Sequence, residues 1–299
     1  MTVLVTGASG SIGPAVVAAF RRSFPEVRAY VRRSEAAEAL RELGAKVAVG
    51  EADDPDTLAV AMYGVFTVCH LVGAIDAPDE EAYRFANVRS VEVALDVAVR
   101  VAVRRFLFLS VPGADPGAAR PFLRCKGEAE ELVAASGLEH AIVRATHVYG
   151  PGPGLWFSTA LELALASPPA VLGGPETPIA PVYVDDVASV FAAADDRSQP
   201  VAGTWGLEGP DVTTARGFVE LLEPEAETIR QIDPADAEAL AAVLERPPSR
   251  TALEFLASPS RADAPDAAAE FGVRRTPLRD GLQRTIERSS APGLERWMS

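Results

Sequence analysis

The chain has 299 residues with a formal net charge of −14, and 48% of its residues are hydrophobic. This length accommodates one large or two modest domains with a sizeable core. The negative charge repels phosphodiester backbones and argues against direct nucleic-acid binding. No apolar run approaches the roughly 20 residues that a bilayer requires. We expect no membrane span and, because the chain opens on a strand and not on a basic leader, a cytoplasmic protein.

The chain has two cysteines, Cys69 and Cys125, and each lies in a regular-looking segment. Neither a disulfide framework nor a metal cluster is indicated, and no His-x-x-x-His pattern or acidic ligand cluster is present. We therefore expect no metal site.

A glycine-rich turn follows the first apolar run of the chain and precedes a helical stretch. It consists of Gly7, Ala8, Ser9, Gly10, Ser11, Ile12 and Gly13. The first glycine permits a tight turn, the second lets the backbone approach a pyrophosphate, and the third lets helix and strand pack closely. The pattern predicts a dinucleotide site, and the alternative is an ordinary β–α turn.

Short β-rich runs then alternate with longer helical stretches. Strands are predicted at residues 3–6, 27–31, 46–49, 67–72, 105–110 and 140–144, and helices at 14–22, 36–43, 56–62, 81–103 and 122–135. Crossovers of this length place helices on both faces of a parallel sheet, with ligands at the carboxyl ends of its strands. The fold class predicted is α/β, a doubly wound parallel sheet with a smaller C-terminal α/β lobe.

Prolines break this alternation after Tyr149. We predict a dinucleotide-binding domain over residues 1–148 and a substrate-facing lobe over 149–299. Residues 180–195 are expected to form a short strand and an Asp-capped helix that return to the first domain. The stretch 246–266 is expected to be a mobile loop.

Several motifs together resemble the extended and atypical short-chain dehydrogenase/reductases, which are NAD(P)-binding proteins of the Rossmann fold. They are the glycine turn, Val72-Gly73, Asn87-Val88 and the segments 144–152 and 182–187. The branch that looks most similar includes the NADPH-binding accessory subunit of respiratory complex I, isoflavone-reductase-like and NmrA-like proteins. The resemblance covers nearly the whole chain.

The resemblance implies positions for the cofactor. Gly7, Gly10, Ile12 and Gly13 would contact the pyrophosphate, and Val72 and Gly73 would pass beneath the nicotinamide ribose, with Asn87 nearby. Glu51 and Ala52 would stand beside the adenine, where the family usually has Asp and an aliphatic residue. The alternative for Val72-Gly73 is a simple strand end.

The end of the second predicted strand bears on the choice of cofactor. A site that prefers NAD places an acid there for the ribose 2′-hydroxyl. This chain instead has Arg32 and Arg33, whose guanidiniums are suited to a 2′-phosphate. We therefore favour NADP(H) over NAD(H). The alternative is that both arginines only solvate a helix entry.

The family's acid–base motif is incomplete. Active relatives carry Tyr-x-x-x-Lys, whose tyrosine exchanges a proton with the substrate oxygen. This chain has Phe122 and Lys126 at those positions, and Val111 stands where the family has its serine, one residue after Ser110. Lys126 is expected to contact the ribose, or else to be a surface lysine paired with Glu130.

Other residues are candidates for the missing proton donor. Ser110, His147 and Tyr149 are considered, and each has a structural role as its alternative. The sequence predicts an NADP(H)-binding protein that acts as an oxidoreductase on a small apolar carbonyl, enone or quinone. One alternative is a non-catalytic dinucleotide-binding regulator or scaffold with a protein partner. Another is a nucleotide-sugar epimerase or dehydratase. Either a monomer or a homodimer is compatible with the sequence.

Overall fold

The computed structural model describes residues 1–152, 154–196 and 200–288. Its strands are β1 (Thr2–Thr6), β2 (Glu26–Val31), β3 (Lys46–Val49), β4 (Thr67–His70), β5 (Arg105–Ser110), β6 (Glu139–Ala145), β7 (Val148–Tyr149), β8 (Ala170–Leu172), β9 (Pro178–Ile179), β10 (Val182–Tyr183), β11 (Ala202–Leu207), β12 (Thr213–Thr214) and β13 (Arg230–Ile232). Its helices are α1 (Gly13–Ser23), α2 (Ala37–Glu42), α3 (Pro55–Met62), α4 (Glu80–Arg84), α5 (Ser90–Arg100), α6 (Pro121–Ala135), α7 (Leu155–Ala164), α8 (Val184–Asp195), α9 (Ala215–Leu222), α10 (Ala237–Ala241), α11 (Arg250–Leu256), α12 (Ala267–Phe271) and α13 (Leu278–Arg288). Across these described ranges, no helix has the length and apolar character needed to cross a membrane.

The main sheet is parallel and has seven strands in the order β3-β2-β1-β4-β5-β6-β11. The chain runs outward from β1 to β2 and β3, then crosses to β4 on the other side of β1 and continues to β5 and β6. The strand order therefore reverses between β1 and β4, which is where doubly wound sheets bind ligands. The predicted Rossmann-type α/β fold is confirmed.

Both faces of the sheet are covered by helices, which explains the nearly continuous apolar runs of its strands. Along β1, the side chains of Val3 and Val5 pack in the core that includes α1 and α8, and Leu4 packs in the core that includes α3 and α5. Helix α12 contributes to the core with α1 and α8, and helix α6 contributes to the core with α3 and α5 on the other face of the sheet. The carboxyl ends of the strands form the edge of the sheet at which the cleft described below lies.

The C-terminal lobe is built from short paired strands and helices α7, α9, α10 and α11 around an apolar core that includes Leu163, Leu172 and Phe218. The chain returns to the first domain twice, because α8 packs against α1 and β11 extends the main sheet beside β6. The division into residues 1–148 and 149–299 stays a prediction. In the second range, residues 153, 197–199 and 289–299 lie outside the described ones.

Two elements differ from those that the sequence predicted. The helix predicted over residues 81–103 consists of α4 and α5 joined by a π turn at Phe85–Arg89. The prediction of a mobile loop over residues 246–266 was wrong, because α11 lies within it and Ser260 forms a β-bridge with Ile179. The apolar side of α11, with Leu253, Phe255 and Leu256 buried, holds this segment against the lobe.

Candidate active site

A cleft of about 820 Å³ lies at the carboxyl edge of the sheet. The glycine turn, the loops after β4 and β5, the start of α6, the end of β6 and the segment 255–263 form its walls. It brings together these predicted site residues: Gly7, Gly10, Ser11, Ile12, Gly13, Val72, Gly73, Asn87, Ser110, Lys126 and His147. Among the described residues, no cluster of side chains suited to a metal ion occurs.

The glycine turn leaves no room for side chains on two of its glycines. A Cβ on Gly13 would lie 2.2 Å from the carbonyl oxygen of Ala8, and Gly7 has a φ of +67° with its Cβ position 2.9 Å from the backbone nitrogen of Val72. Helix α1 begins directly after the turn, without a side-chain cap on its first N–H groups and without an acid in its first turn. These N–H groups and the helix dipole are therefore suited to a phosphate group.

Asn87 fixes the loop that follows β4. Its side-chain Oδ1 accepts a hydrogen bond from the Ala74 N–H at 3.1 Å, and its Nδ2 donates to the carbonyl oxygens of Ala74 and Tyr83, each at 3.0 Å. A Cβ on Gly73 would lie 2.8 Å from Asn87 Oδ1. Asn87 is fully buried within the π turn, and its side-chain amide hydrogen-bonds to the backbone of the loop after β4.

Lys126 is 5% exposed and belongs to the wall of the cleft. Its Nζ donates to the carbonyl oxygen of Leu109 at 2.6 Å and lies 4.1 Å from the ring centroid of Phe108. Burial lowers the pKa of Lys126 to about 7, and the charge of Glu130 acts in the opposite direction. Nζ lies 4.0 Å from the Cβ position of Gly73, so the ammonium group faces the loop after β4.

Phe122 occupies the family's tyrosine position with a ring that is 3% exposed. The ring of Phe255, from α11, meets it edge-on with centroids 4.9 Å apart, and the centroid of the Tyr83 ring lies 6.4 Å from it. Ser110 Oγ is buried in the same cleft and has no hydrogen-bond partner among the described residues. An unpaired buried hydroxyl is costly, and a bound ligand would supply the missing hydrogen-bond partner.

The imidazole of His147 stacks on Trp156 with centroids 4.7 Å apart, and Phe255 lies edge-on to it at 6.0 Å. Burial lowers the pKa of His147 to about 3, and hydrogen bonds with backbone groups of Ser258 and Leu256 act in the opposite direction. The ring is therefore neutral near pH 7. Its Nε2 has no partner within the described part of the chain.

Other predicted site residues lie outside the cleft wall. Tyr149 is buried, its hydroxyl donates to the carbonyl oxygen of Leu278 at 3.4 Å, and burial raises its pKa. Its hydroxyl lies against α13, away from the place that a proton donor needs, because a Cβ on Gly281 would come within 2.1 Å of it. The remaining ones are Ala8, buried beneath the glycine turn; Ser9, Arg32, Arg33 and Glu51, which are exposed; and half-buried Ala52.

Several residues of the cleft have no recognisable signal in the sequence. Arg120 stands just before α6, Phe255 comes from α11, and the segment 258–263 crosses to the β5–α6 loop, where Asp263 accepts a hydrogen bond from the Gly113 N–H at 2.7 Å. Asp263 also pairs with Arg144 at 3.1 Å. These contacts span more than one hundred residues of sequence, so no local spacing indicates them.

The chain is similar to known proteins over half of its length or more. The profile of a family described as NAD(P)H-binding matches residues 7–156. The chain is 28% identical over 195 residues to a ceramide reductase of Caulobacter vibrioides, which covers 64% of this chain and 60% of that protein. It is 27% identical over 225 residues to NADH dehydrogenase [ubiquinone] 1 alpha subcomplex subunit 9 of Arabidopsis thaliana, covering 73% of this chain and 56% of the subunit.

In both relatives the chain therefore spans less than two thirds of the relative's length. Among solved structures, a double mutant of the dTDP-glucose 4,6-dehydratase DesIV of Streptomyces venezuelae superposes with a TM-score of 0.76 over 96% of each chain and is 19% identical. At this identity the likeness concerns the fold alone.

Proposed function

Because the chain belongs to the NAD(P)H-binding family, we propose that it binds NADP(H) in the cleft and acts on a small apolar carbonyl, enone or quinone compound. One observation carries the proposal. The glycine turn, Lys126 and two buried polar atoms without described partners, Ser110 Oγ and His147 Nε2, line the same cleft. The aromatic rings of Phe122, Trp156 and Phe255 belong to the same wall, as is usual where an apolar ligand is oriented by few polar groups.

The residues at the glycine turn fit a dinucleotide. The uncapped first turn of α1 would receive the pyrophosphate, and Gly7 and Gly13 keep its approach free of side chains. The ammonium group of Lys126 would hold a ribose hydroxyl over Gly73. When bound, NADPH supplies hydride chemistry, balanced by one proton taken up at the substrate.

The choice of NADP(H) over NAD(H) is part of the proposal. Arg32 and Arg33 follow β2, the strand beside β1, and both side chains are exposed. Each guanidinium is available for a 2′-phosphate, which arginine binds through charge-assisted hydrogen bonds.

The proton must come from a group other than the family's tyrosine, because Phe122 has none to give. We assign the Ser110 hydroxyl as the hydrogen-bond donor to the substrate oxygen, with water as the source of the proton. His147 is assigned as a neutral hydrogen-bond acceptor and not as a substitute acid. The hydrogen bonds that raise its pKa place the ring N–H toward backbone carbonyls, which leaves the Nε2 lone pair for a substrate hydroxyl.

Two measurements test this function. Calorimetric titration compares the binding of NADPH and NADH, and the absorbance of the bound reduced cofactor is then followed as quinones, enones and aldehydes are added. Tight NADPH binding with oxidation by one substrate class is the expected result. An absence of binding would refute the cofactor assignment, and Arg32→Ser together with Arg33→Ser is expected to weaken NADPH selectively and leave NADH unchanged.

A second function, dinucleotide binding without catalysis, is favoured by Phe122, whose ring has no proton to give and packs with the rings of Tyr83 and Phe255. In such a protein, the bound cofactor would stabilise the fold or report the redox state to a protein partner. Tight binding of NADPH without turnover of any substrate in the panel would support this alternative against the oxidoreductase.

A further inference from the structure

Arg120 is a cation in the wall of the cleft, at the residue that precedes α6. Its side chain is half-buried and makes no hydrogen bond or ion pair with any other residue in the described ranges. The other basic side chains of the same wall are engaged. Arg261 binds the carboxylate of Glu208 through two hydrogen bonds, at 2.9 and 3.1 Å, and Lys126 donates to Leu109.

The acidic side chains of the cleft wall do not neutralise Arg120. Asp263 accepts hydrogen bonds from Gly113 and Arg144, and Asp76 accepts one from the Ser249 N–H at 3.0 Å. Neither carboxylate pairs with Arg120. The positive charge therefore remains available inside a protein whose net charge is −14, which otherwise repels anions.

Apolar side chains form a large part of the cleft wall to which Arg120 belongs. They include Ile75, Phe122, Leu123, Leu155, Trp156 and Phe255. A surface of this kind binds an apolar body without fixing its orientation, and a single charged group then sets which end points where. The planar guanidinium of arginine matches a carboxylate in a bidentate arrangement.

We propose that the substrate is an oxo acid, in which an apolar body carries both the reacting carbonyl group and a carboxylate that Arg120 binds. This inference rests on the proposed function, since it concerns the substrate of the same cleft. Arg120 binds the carboxylate, the aromatic rings contact the apolar body, and Ser110 contacts the carbonyl oxygen. A neutral ketone or ester of the same shape lacks the first of these contacts and binds less well.

Calorimetry tests the proposal with a panel of aryl and alkyl oxo acids and their methyl esters, beginning with 4-oxo-4-phenylbutyrate. Each pair is titrated into the protein with and without saturating NADP⁺. We expect the acid to bind at least tenfold more tightly than its ester, because the ester lacks the charge-assisted hydrogen bonds that a carboxylate forms with the guanidinium group. Arg120→Gln is expected to remove this preference, to leave the ester's affinity unchanged and to leave NADP⁺ binding unchanged.

Arg22→Gln is the matched control, because Arg22 is exposed on α1 and the substitution changes the net charge equally. Circular dichroism and thermal unfolding establish that each variant is folded. Equal binding of acids and esters throughout the panel, or an acid preference that survives Arg120→Gln, overturns the proposal. So does a loss of NADP⁺ affinity in Arg120→Gln, which would assign Arg120 to the cofactor. If NADP⁺ does not bind but the acid preference depends on Arg120, the proposed function fails and the carboxylate site stands.

Discussion

Lys126 titrates in the pH range of ordinary binding experiments, because burial lowers its pKa to about 7. The ammonium form predominates below pH 7 and the neutral amine above it. If the ammonium group binds the cofactor's ribose, the affinity for NADP⁺ falls as the pH rises above 7, by at most about tenfold per pH unit. Calorimetry between pH 7 and pH 9 measures this slope.

Lys126→Gln is the matching variant for that titration, since it keeps a hydrogen-bond donor without a titrating charge. We expect weaker binding at pH 7 and little change in affinity with pH. An equal slope in the variant and the wild type would assign the pH dependence to another group.

Phe122→Tyr recreates the family's Tyr-x-x-x-Lys spacing with Lys126. Provided the added hydroxyl reaches the substrate oxygen, the rate of carbonyl reduction should rise by about 10²–10⁴-fold, the usual contribution of a positioned proton donor. The absorbance of NADPH with aldehydes and ketones measures the rate. Phe255→Tyr adds the same hydroxyl to the neighbouring ring, 4.9 Å away, without the spacing to Lys126. An equal gain in both variants would contradict a specific role for position 122.

The sequence predicted the parts of the site that depend on local spacing. The glycine turn and Lys126 both line the cleft, because a turn between β1 and α1 and a residue in the second turn of α6 are placed by their own elements. Arg120 and Phe255 were not predicted, since the cleft wall that they share forms only when α11 packs against α6. The position of Tyr149 also depends on a distant element, because α13 returns to cover its hydroxyl.

At the scale of elements, Arg105 joins three parts of the fold at the amino-terminal edge of the sheet. It lies at the start of β5, is 3% exposed, and pairs with Asp195 of α8 at 3.3 Å and with Glu139 of β6 at 2.8 Å. Asp195 also accepts a hydrogen bond from Thr67 of β4 at 2.5 Å. Removal of one member of such a buried group leaves an uncompensated charge.

Arg105→Leu is therefore expected to lower the free energy of unfolding by about 3–5 kcal/mol, measured by urea denaturation. The neighbouring Arg104 pairs with the same Glu139 at 2.7 Å, but its side chain is 59% exposed. Arg104→Leu should cost less than about 1 kcal/mol, as exposed ion pairs do. Similar losses in the two variants would contradict the importance of burial here.

The elements themselves were predicted well where their hydrophobic pattern is simple. The first six strands lie within two residues of their predicted bounds, because both faces of the sheet are buried and the strands read as apolar runs. The π turn at Phe85–Arg89 has no such signal, since it depends on the hydrogen bonds that Asn87 makes to the loop after β4. The segment 246–266 was mistaken for a loop because α11 is short and flanked by prolines, and its helix is held by tertiary burial.

At the scale of the whole molecule, two buried neutral histidines make unfolding dependent on acid. His70 lies between Phe106 and Phe108 in the sheet, and His147 lies in the cleft wall. Burial lowers the pKa of each to about 3, from about 6.5 in an unfolded chain. Between these values the unfolded chain binds protons that the folded chain excludes, so stability is lost as the pH falls through this window.

Each histidine should reduce the free energy of unfolding by about 1.4 kcal/mol per pH unit once the pH is well below 6.5, which gives about 2.8 kcal/mol per pH unit for the two. Burial also raises the pKa of Asp186 and Asp195, so protonation of these carboxyl groups stabilises the folded protein as the pH falls. The contribution of each histidine is therefore read from its variant and not from the total slope. Urea denaturation from pH 7 to pH 4.5 should show a slope smaller by about 1.4 kcal/mol per pH unit in His70→Gln and again in His147→Gln. The same change at half-buried His140 controls for the loss of an imidazole. NADPH would bind against the wall that holds His147. If the cofactor reduces the pH slope of the free energy of unfolding in the wild type but not in His147→Gln, the imidazole contacts the bound cofactor. An unchanged slope in both buried variants would mean that these rings are reached by water and protonate in the folded protein.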